Sequence, residues 1–152
     1  MDKKKVTLFI DTNIFIIDLR YPRDRHFKIN RLFLDFVAAQ GKGITSVINL
    51  LELCGILSFN LNRRQILELF HYFPEKYNLE IIPSHDMDSF LPETSVKEVM
   101  ELIYEKASFG DAFVARIANR SLPEGSIFIS WDALHFKHLL SVKALTPLEF
   151  MH

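Results

Sequence analysis

Four acidic residues stand where this chain's strands should end or its helices begin: Asp11, Glu52, Asp111 and Asp132. Their settings are Ile10-Asp11-Thr12-Asn13, Leu50-Leu51-Glu52-Leu53, Phe109-Gly110-Asp111-Ala112 and Ser130-Trp131-Asp132. Carboxylates brought to one edge of a parallel sheet suit hard divalent cations, because Mg²⁺ and Mn²⁺ prefer oxygen ligands. In open α/β sheets, ligands bind outside the carboxyl ends of the strands. Two such ions about 4 Å apart can bracket a phosphodiester, one activating the attacking water and the other stabilising the leaving oxygen. The carboxylates then position the ions and need not be nucleophiles.

Each acid also has a simpler structural explanation. Asp11 can N-cap a helix beginning at Thr12. Ser108 and Asp111 have capping-box spacing. Asp132 can cap the helix that carries Leu134 and His138. Glu52 is harder to explain away. Leu50, Leu51, Leu53, Cys54, Ile56 and Leu57 surround it, so the helix reads as buried all round. A buried acid needs a cation, an arginine or a hydrogen-bond network.

The elements that must position these acids alternate. The apolar run 6–10 has the length of a buried parallel strand. A helix begins near Thr12 and runs to Leu19. Ile29, Leu32, Phe33, Phe36 and Val37 recur at helical spacing, and Gly41 is a stop signal. A short strand over 43–45 leads into a helix over 46–59. Asn62 and Gln65 pair as a cap and its reciprocal partner, and Pro74 is expected to end that helix. Residues 79–83 read as a third strand. Ser95 and Glu98 repeat the capping pattern, and Val96, Val99, Met100, Ile103 and Ala107 follow on one helical face. Ser108 opens a helix through Asn119. Residues 126–130 form a fourth strand, 132–140 a short helix and 142–144 a last strand. Pro147 then takes the first position of a final helix. Such alternation predicts a three-layer α/β/α sandwich around a mostly parallel sheet of four to five strands.

The chain of 152 residues is expected to form one domain spanning its whole length. Its 14 Phe suggest an aromatic core, with an association surface as a further use. Eighteen basic and 19 acidic residues leave a net charge of −1, so nucleic acid could be attracted only by local basic clusters. The single cysteine, Cys54, excludes an internal disulfide and fits a reducing compartment. Residues 1–10 are too short for a signal peptide, and no stretch reaches transmembrane length. The expected location is the cytoplasm, with no membrane contact.

Taken together, Asp11-Thr12-Asn13, Glu52 in an apolar helix, Gly110-Asp111-Ala112 and Ser130-x-Asp132 resemble the four ordered motifs of PIN-domain ribonucleases. The resemblance covers essentially the whole chain, and the ending Leu145-Thr146-Pro147-Leu148-Glu149-Phe150 is also family-like. It implies a PIN-like fold and a Mg²⁺- or Mn²⁺-dependent endoribonuclease. The metal ligands would be Asp11, Glu52, Asp111 and Asp132, with Thr12, Asn13 and Ser130 supporting them. A compact chain of this size is similar to the toxin half of VapBC toxin–antitoxin pairs. That likeness implies an RNA substrate, an antitoxin partner and a homodimer. Two other readings stay open: a stand-alone RNA-processing PIN nuclease, and a catalytically silent PIN-like module that binds RNA or protein. Ser130 stands where threonine is common, and keeps the hydroxyl. Trp131 is bulky for its place and is expected in the core.

Other features are less specific. Arg20, Arg23, Arg25, His26, Lys28 and Arg31 make a basic segment just after the Asp11 motif. It could track an RNA backbone through Arg20, Arg23, Arg25 and Lys28, with Tyr21, His26 and Phe27 available for stacking, or be a solvated loop and helix face. His135 and His138, three residues apart, have a spacing that can bind a transition metal, but read first as polar positions of an exposed helix. His85, Asp86 and Asp88 read as loop and cap residues. Cys54 reads as a small buried hydrophobe.

Overall fold

The apolar run that opens the chain becomes a strand covered on both faces, as a stretch with no polar alternation must. Leu8, Phe9 and Ile10 form β1 (Leu8–Ile10), and all three are buried. In this computed structural model residues 6–152 are described; the terminal segment read above for targeting signals lies partly outside them. The chain continues through α1 (Thr12–Arg20), α2 (Phe27–Gln40), β2 (Gly43–Ser46), α3 (Val47–Leu57), α4 (Arg63–Tyr77) and β3 (Leu79–Ile82). It then passes through α5 (Val96–Tyr104), α6 (Phe109–Ser121), β4 (Ile127–Ile129), α7 (Ala133–Phe136), β5 (Lys143–Leu145) and α8 (Pro147–Met151).

The sheet order is β3-β2-β1-β4-β5, and every neighbouring pair is parallel. Leu8 pairs with Ile127 and Ile10 with Ile129, so β1 and β4 end level at the centre. Strand alternation then divides the core. Leu8, Ile10, Ile127 and Ile129 face a layer built from α1, α2, α3, α4 and α8. Phe9 and Phe128 face α5, α6 and α7. Phe9 stacks on Phe128 at 5.0 Å, and Phe128 meets Phe136 at 4.6 Å. The other layer is pinned by Phe15, Phe73 and Tyr77. The α/β/α sandwich and the aromatic core expected from sequence are both present. No helix among the described residues is long and apolar enough to cross a membrane.

Two local expectations fail for physical reasons. Pro74 does not end α4, which continues to Tyr77. A proline leaves the carbonyl four residues earlier without its helical donor. Here that carbonyl, on Phe70, meets His85 Nε2 at 2.5 Å, so the last turn survives. Asn78 then closes the helix at φ 51°, its amide donating to the Ala38 carbonyl at 2.6 Å. The second failure is α3. It packs on α1, α4, α6 and β2 but is not buried all round. Leu50, Leu53, Cys54 and Leu57 are inside, whereas Leu51, Glu52 and Ile56 are exposed, and Phe59 beyond its end is 90% exposed. Neighbours cover one side of this helix, and an all-apolar sequence does not bring a second layer with it.

Candidate active site

The site forms where β1, β2 and β4 end. Asp11 follows β1 directly and N-caps α1, its Oδ1 accepting from the Thr12 N–H at 2.9 Å. The carboxylate is buried, and its other oxygen accepts from Ser130 Oγ at 2.7 Å. Ser130 follows β4, whose register beside β1 sets the two residues together. The same hydroxyl accepts from Asn13 Nδ2 and from the Asp132 N–H, both at 3.0 Å. Asn13 returns a bond by accepting the Trp131 N–H at 3.2 Å. Asp11, Thr12, Asn13, Ser130 and Asp132 thus form one network across two strand ends.

A third strand contributes Asn49. Ser46 ends β2 and N-caps α3; its Oγ accepts the Asn49 N–H at 3.1 Å and donates to Asn49 Oδ1 at 2.5 Å. That grip aims Asn49 Nδ2 at Asp11 Oδ1 (3.2 Å) and Thr12 Oγ1 (2.9 Å). The sequence pattern alone did not assign Asn49 a role. The available signal was its spacing, three residues after a capping serine and three before the acid.

Glu52 lies one turn further along α3 and is exposed. Its carboxylate borders the first turn of α6, where a Cβ added at Gly110 would come 3.2 Å from Oε2. Asp111, next to Gly110, donates its backbone N–H to Ser108 Oγ (3.2 Å), and its carboxylate lies 3.3 Å from His135 Nε2. His135 is therefore tied to this edge, while His138 turns to the Glu105 carbonyl at 2.6 Å, so the two do not act as a pair. Asp132 joins through its backbone; its exposed carboxylate makes no capping bond to α7.

Burial pushes the Asp11 carboxyl up to about 7, the bonds from Ser130 and Thr12 oppose this, and the negative charges of Asp111 and Glu52 raise it further. Asp11 therefore feels the charges of two of the other three acids. Among the described residues no arginine or lysine is paired with any of the four. Nor do three or more His, Cys, Asp or Glu side chains make a closed metal-binding cluster there. The donor set is all oxygen, partly buried and short of positive charge, which is the chemistry Mg²⁺ or Mn²⁺ requires.

The remaining candidates separate. Trp131 is half-buried and packs at the edge of the core: its ring stacks on His26 at 4.0 Å, and its indole N–H donates to Asn30 Oδ1 at 2.8 Å. Arg20 is engaged with Asn60, whereas Arg23, Arg25 and Lys28 are exposed. Arg31 pairs with Asp18 (2.6 Å) and Asp35 (3.1 Å) and belongs to the scaffold. His85 stacks on Phe70, and Cys54 is buried with its thiol pushed up by burial.

Comparison with known proteins gives the fold. No family model matches the sequence, and no curated protein matches it. Among solved structures, the chain is similar to one in VapBC2 from Rickettsia felis bound to a DNA fragment from their promoter. That similarity has a TM-score of 0.59 at 20% identity, covering 93% of this chain and 98% of the other. It is also similar to a chain of FitAB bound to an IR36 DNA fragment, with a TM-score of 0.58 at 16% identity, covering 93% and 95%. The five-stranded parallel sandwich is thus PIN-like in architecture.

Proposed function

We propose that this chain is a Mg²⁺- or Mn²⁺-dependent endoribonuclease, acting as the toxin of a VapBC-type pair and restrained by a cognate antitoxin. The observation that carries the reading is the Asp11 network. A buried carboxylate at the end of the central strand is held by Thr12, Asn49 and Ser130 and exposed to the charges of Asp111 and Glu52, and among the described residues no arginine or lysine pairs with it. The VapBC name links the sequence resemblance to one of the fold neighbours and supports the toxin role.

Asp11, Glu52, Asp111 and Asp132 would hold the ions. A bound divalent ion supplies Lewis acidity toward a phosphodiester and a more acidic water. The chain's own groups supply the order. Ser130 and Thr12 fix both Asp11 oxygens. Asn49 locks Asp11 to Thr12, so α1 and α3 cannot shift independently at this edge. His135, with Nε2 3.3 Å from the Asp111 carboxylate, would steady Asp111. Such pre-set partners reduce the reorganisation that charge development would otherwise require.

Expression should arrest bacterial growth, and Asp111→Asn should relieve the arrest at unchanged protein level. Arrest that persists in Asp111→Asn would exclude this site as its cause. A catalytically silent PIN-like module is favoured by one observation, the lack of a closed donor cluster among the described residues. Calorimetry separates the two: Mn²⁺ binding that disappears in Asp11→Asn supports the nuclease, and no binding supports the silent module.

A further inference from the structure

The stack of His26 on Trp131 joins a basic turn to the acidic edge. Trp131 lies between two residues of the site, Ser130 and Asp132, and its backbone N–H is held by Asn13. Its indole N–H is held by Asn30, a fully buried residue early in α2. The Asn30 amide in turn donates to the Ile14 carbonyl in the first turn of α1 at 2.8 Å. The ring of Trp131 is therefore fixed from both ends, and it carries His26 at 4.0 Å with the planes 15° apart.

The turn behind His26 is internally ordered. The Asp24 N–H donates to the Tyr21 carbonyl at 3.0 Å, and Asp24 Oδ1 accepts the His26 N–H at 2.8 Å. Arg25 Nε donates to His26 Nε2 at 3.2 Å, which places a guanidinium at the edge of the His26 ring. Arg23, Arg25 and Lys28 are exposed, and among the described residues no carboxylate pairs with them. Tyr21, 49% exposed, offers an aromatic face in the same turn. Exposed cations beside accessible aromatic rings are what a single-stranded nucleic acid uses, phosphates on the former and unpaired bases on the latter.

We propose that residues 21–26 form an arm that binds a single RNA strand next to the acidic edge, with Arg23 and Arg25 on its phosphates and the His26–Trp131 stack as the joint that fixes the arm. The proposal rests on the ribonuclease reading and names the groups that position its substrate. The joint gives a second use to Trp131, which also packs against the core.

The test combines binding and kinetics. Binding of a labelled single-stranded RNA is followed by fluorescence anisotropy in an Asp11→Asn background with Mg²⁺, where cleavage does not interfere. Arg23→Ala with Arg25→Ala should weaken binding about tenfold or more and lower the salt slope by about 1.4, as loss of two phosphate contacts on a single strand requires. His26→Ala, which removes the stacking ring, should weaken binding about two- to tenfold. Trp131→Phe keeps a ring for His26 but loses the indole N–H that Asn30 holds, and should weaken binding less than His26→Ala does. In the cleaving chain, the arm variants should raise KM and spare kcat, with circular dichroism and Tm unchanged. Parental affinity, salt slope and KM in the arm variants would overturn the arm and leave the nuclease reading intact. Equal or tighter binding of duplex RNA would overturn the single-strand assignment. No RNA binding or cleavage by the parent chain would remove the arm together with the ribonuclease reading.

Discussion

Replacing Asp11 with Asn should make the protein more stable while removing its activity. The Asp11 carboxyl is pushed from 3.8 to about 7 by burial first and by Asp111 and Glu52 beyond that. A folded-state value above the unfolded one means that the folded chain holds the proton more tightly. Stability from this group is full below the unfolded value and is lost as pH rises through about 7. The shift is roughly three units, so ionising Asp11 in the folded protein costs at most about 4 kcal/mol above neutral pH. Asn carries no charge and can keep the Thr12 cap through its carbonyl. It cannot accept from Ser130 Oγ at the second position, which offsets about 1 kcal/mol. The net gain near pH 8 in EDTA is then about 1–3 kcal/mol, or roughly 2–10 °C in Tm for a chain of this length. Near pH 5 most Asp11 is protonated in the folded state, and the gain should shrink to nearly nothing or reverse. Thermal melts at both pH values, with EDTA, measure it directly. A variant less stable than the parent near pH 8, or a difference independent of pH, would refute the idea that Asp11 is a destabilising buried charge.

Four other outcomes follow from the same geometry. Mg²⁺ should raise the Tm of the parent chain near pH 8 and leave Asp11→Asn unchanged, since an ion that binds only the folded state stabilises it. Asn49→Ala should lower metal affinity or activity about 10–100-fold by removing the amide that joins Asp11 to Thr12, as loss of outer-shell partners typically does. Gly110→Ala should hold or raise Tm, because alanine favours the helix by about 1 kcal/mol, yet lower activity by displacing the Glu52 carboxylate. Tyr77→Phe should cost about 1–3 kcal/mol in a denaturant melt, because the Tyr77 hydroxyl donates to the Asp18 carboxylate at 2.7 Å, and should leave metal binding unchanged.

The alternation of elements and the layering were legible because apolar runs bounded by caps mark them, whereas the strand order was not. Asn62, Ser95 and Ser108 cap the helices expected of them, and Ser46 and Thr146 prove to cap two more. Not every pattern closes as a full box: Ser95 accepts from the Glu98 N–H, but the Glu98 carboxylate turns to Arg116 instead. The surroundings of Asp11 were legible in part. Thr12 and Asn13 are local, and Ser130 reaches Asp11 through strand register that apolar runs imply. Asn49 and His135 were not assigned to this site, because their partners lie 38 and 24 positions away and depend on how α3 and α7 pack. The exposure of Glu52 was misread for a related reason. Composition reports how apolar α3 is, and not which of its sides receives a neighbour. Trp131 packs against the core as expected, but its partners His26 and Asn30 sit on a turn and a helix whose approach no local pattern encodes.

The most direct test is cleavage of a defined single-stranded RNA by the purified chain with Mg²⁺ or Mn²⁺, beside EDTA and Asp11→Asn controls. The account predicts cutting that requires the added ion and disappears in the folded variant. Equal cutting in EDTA, or by Asp11→Asn, would contradict the claim that the acidic edge of this sheet is the catalytic site.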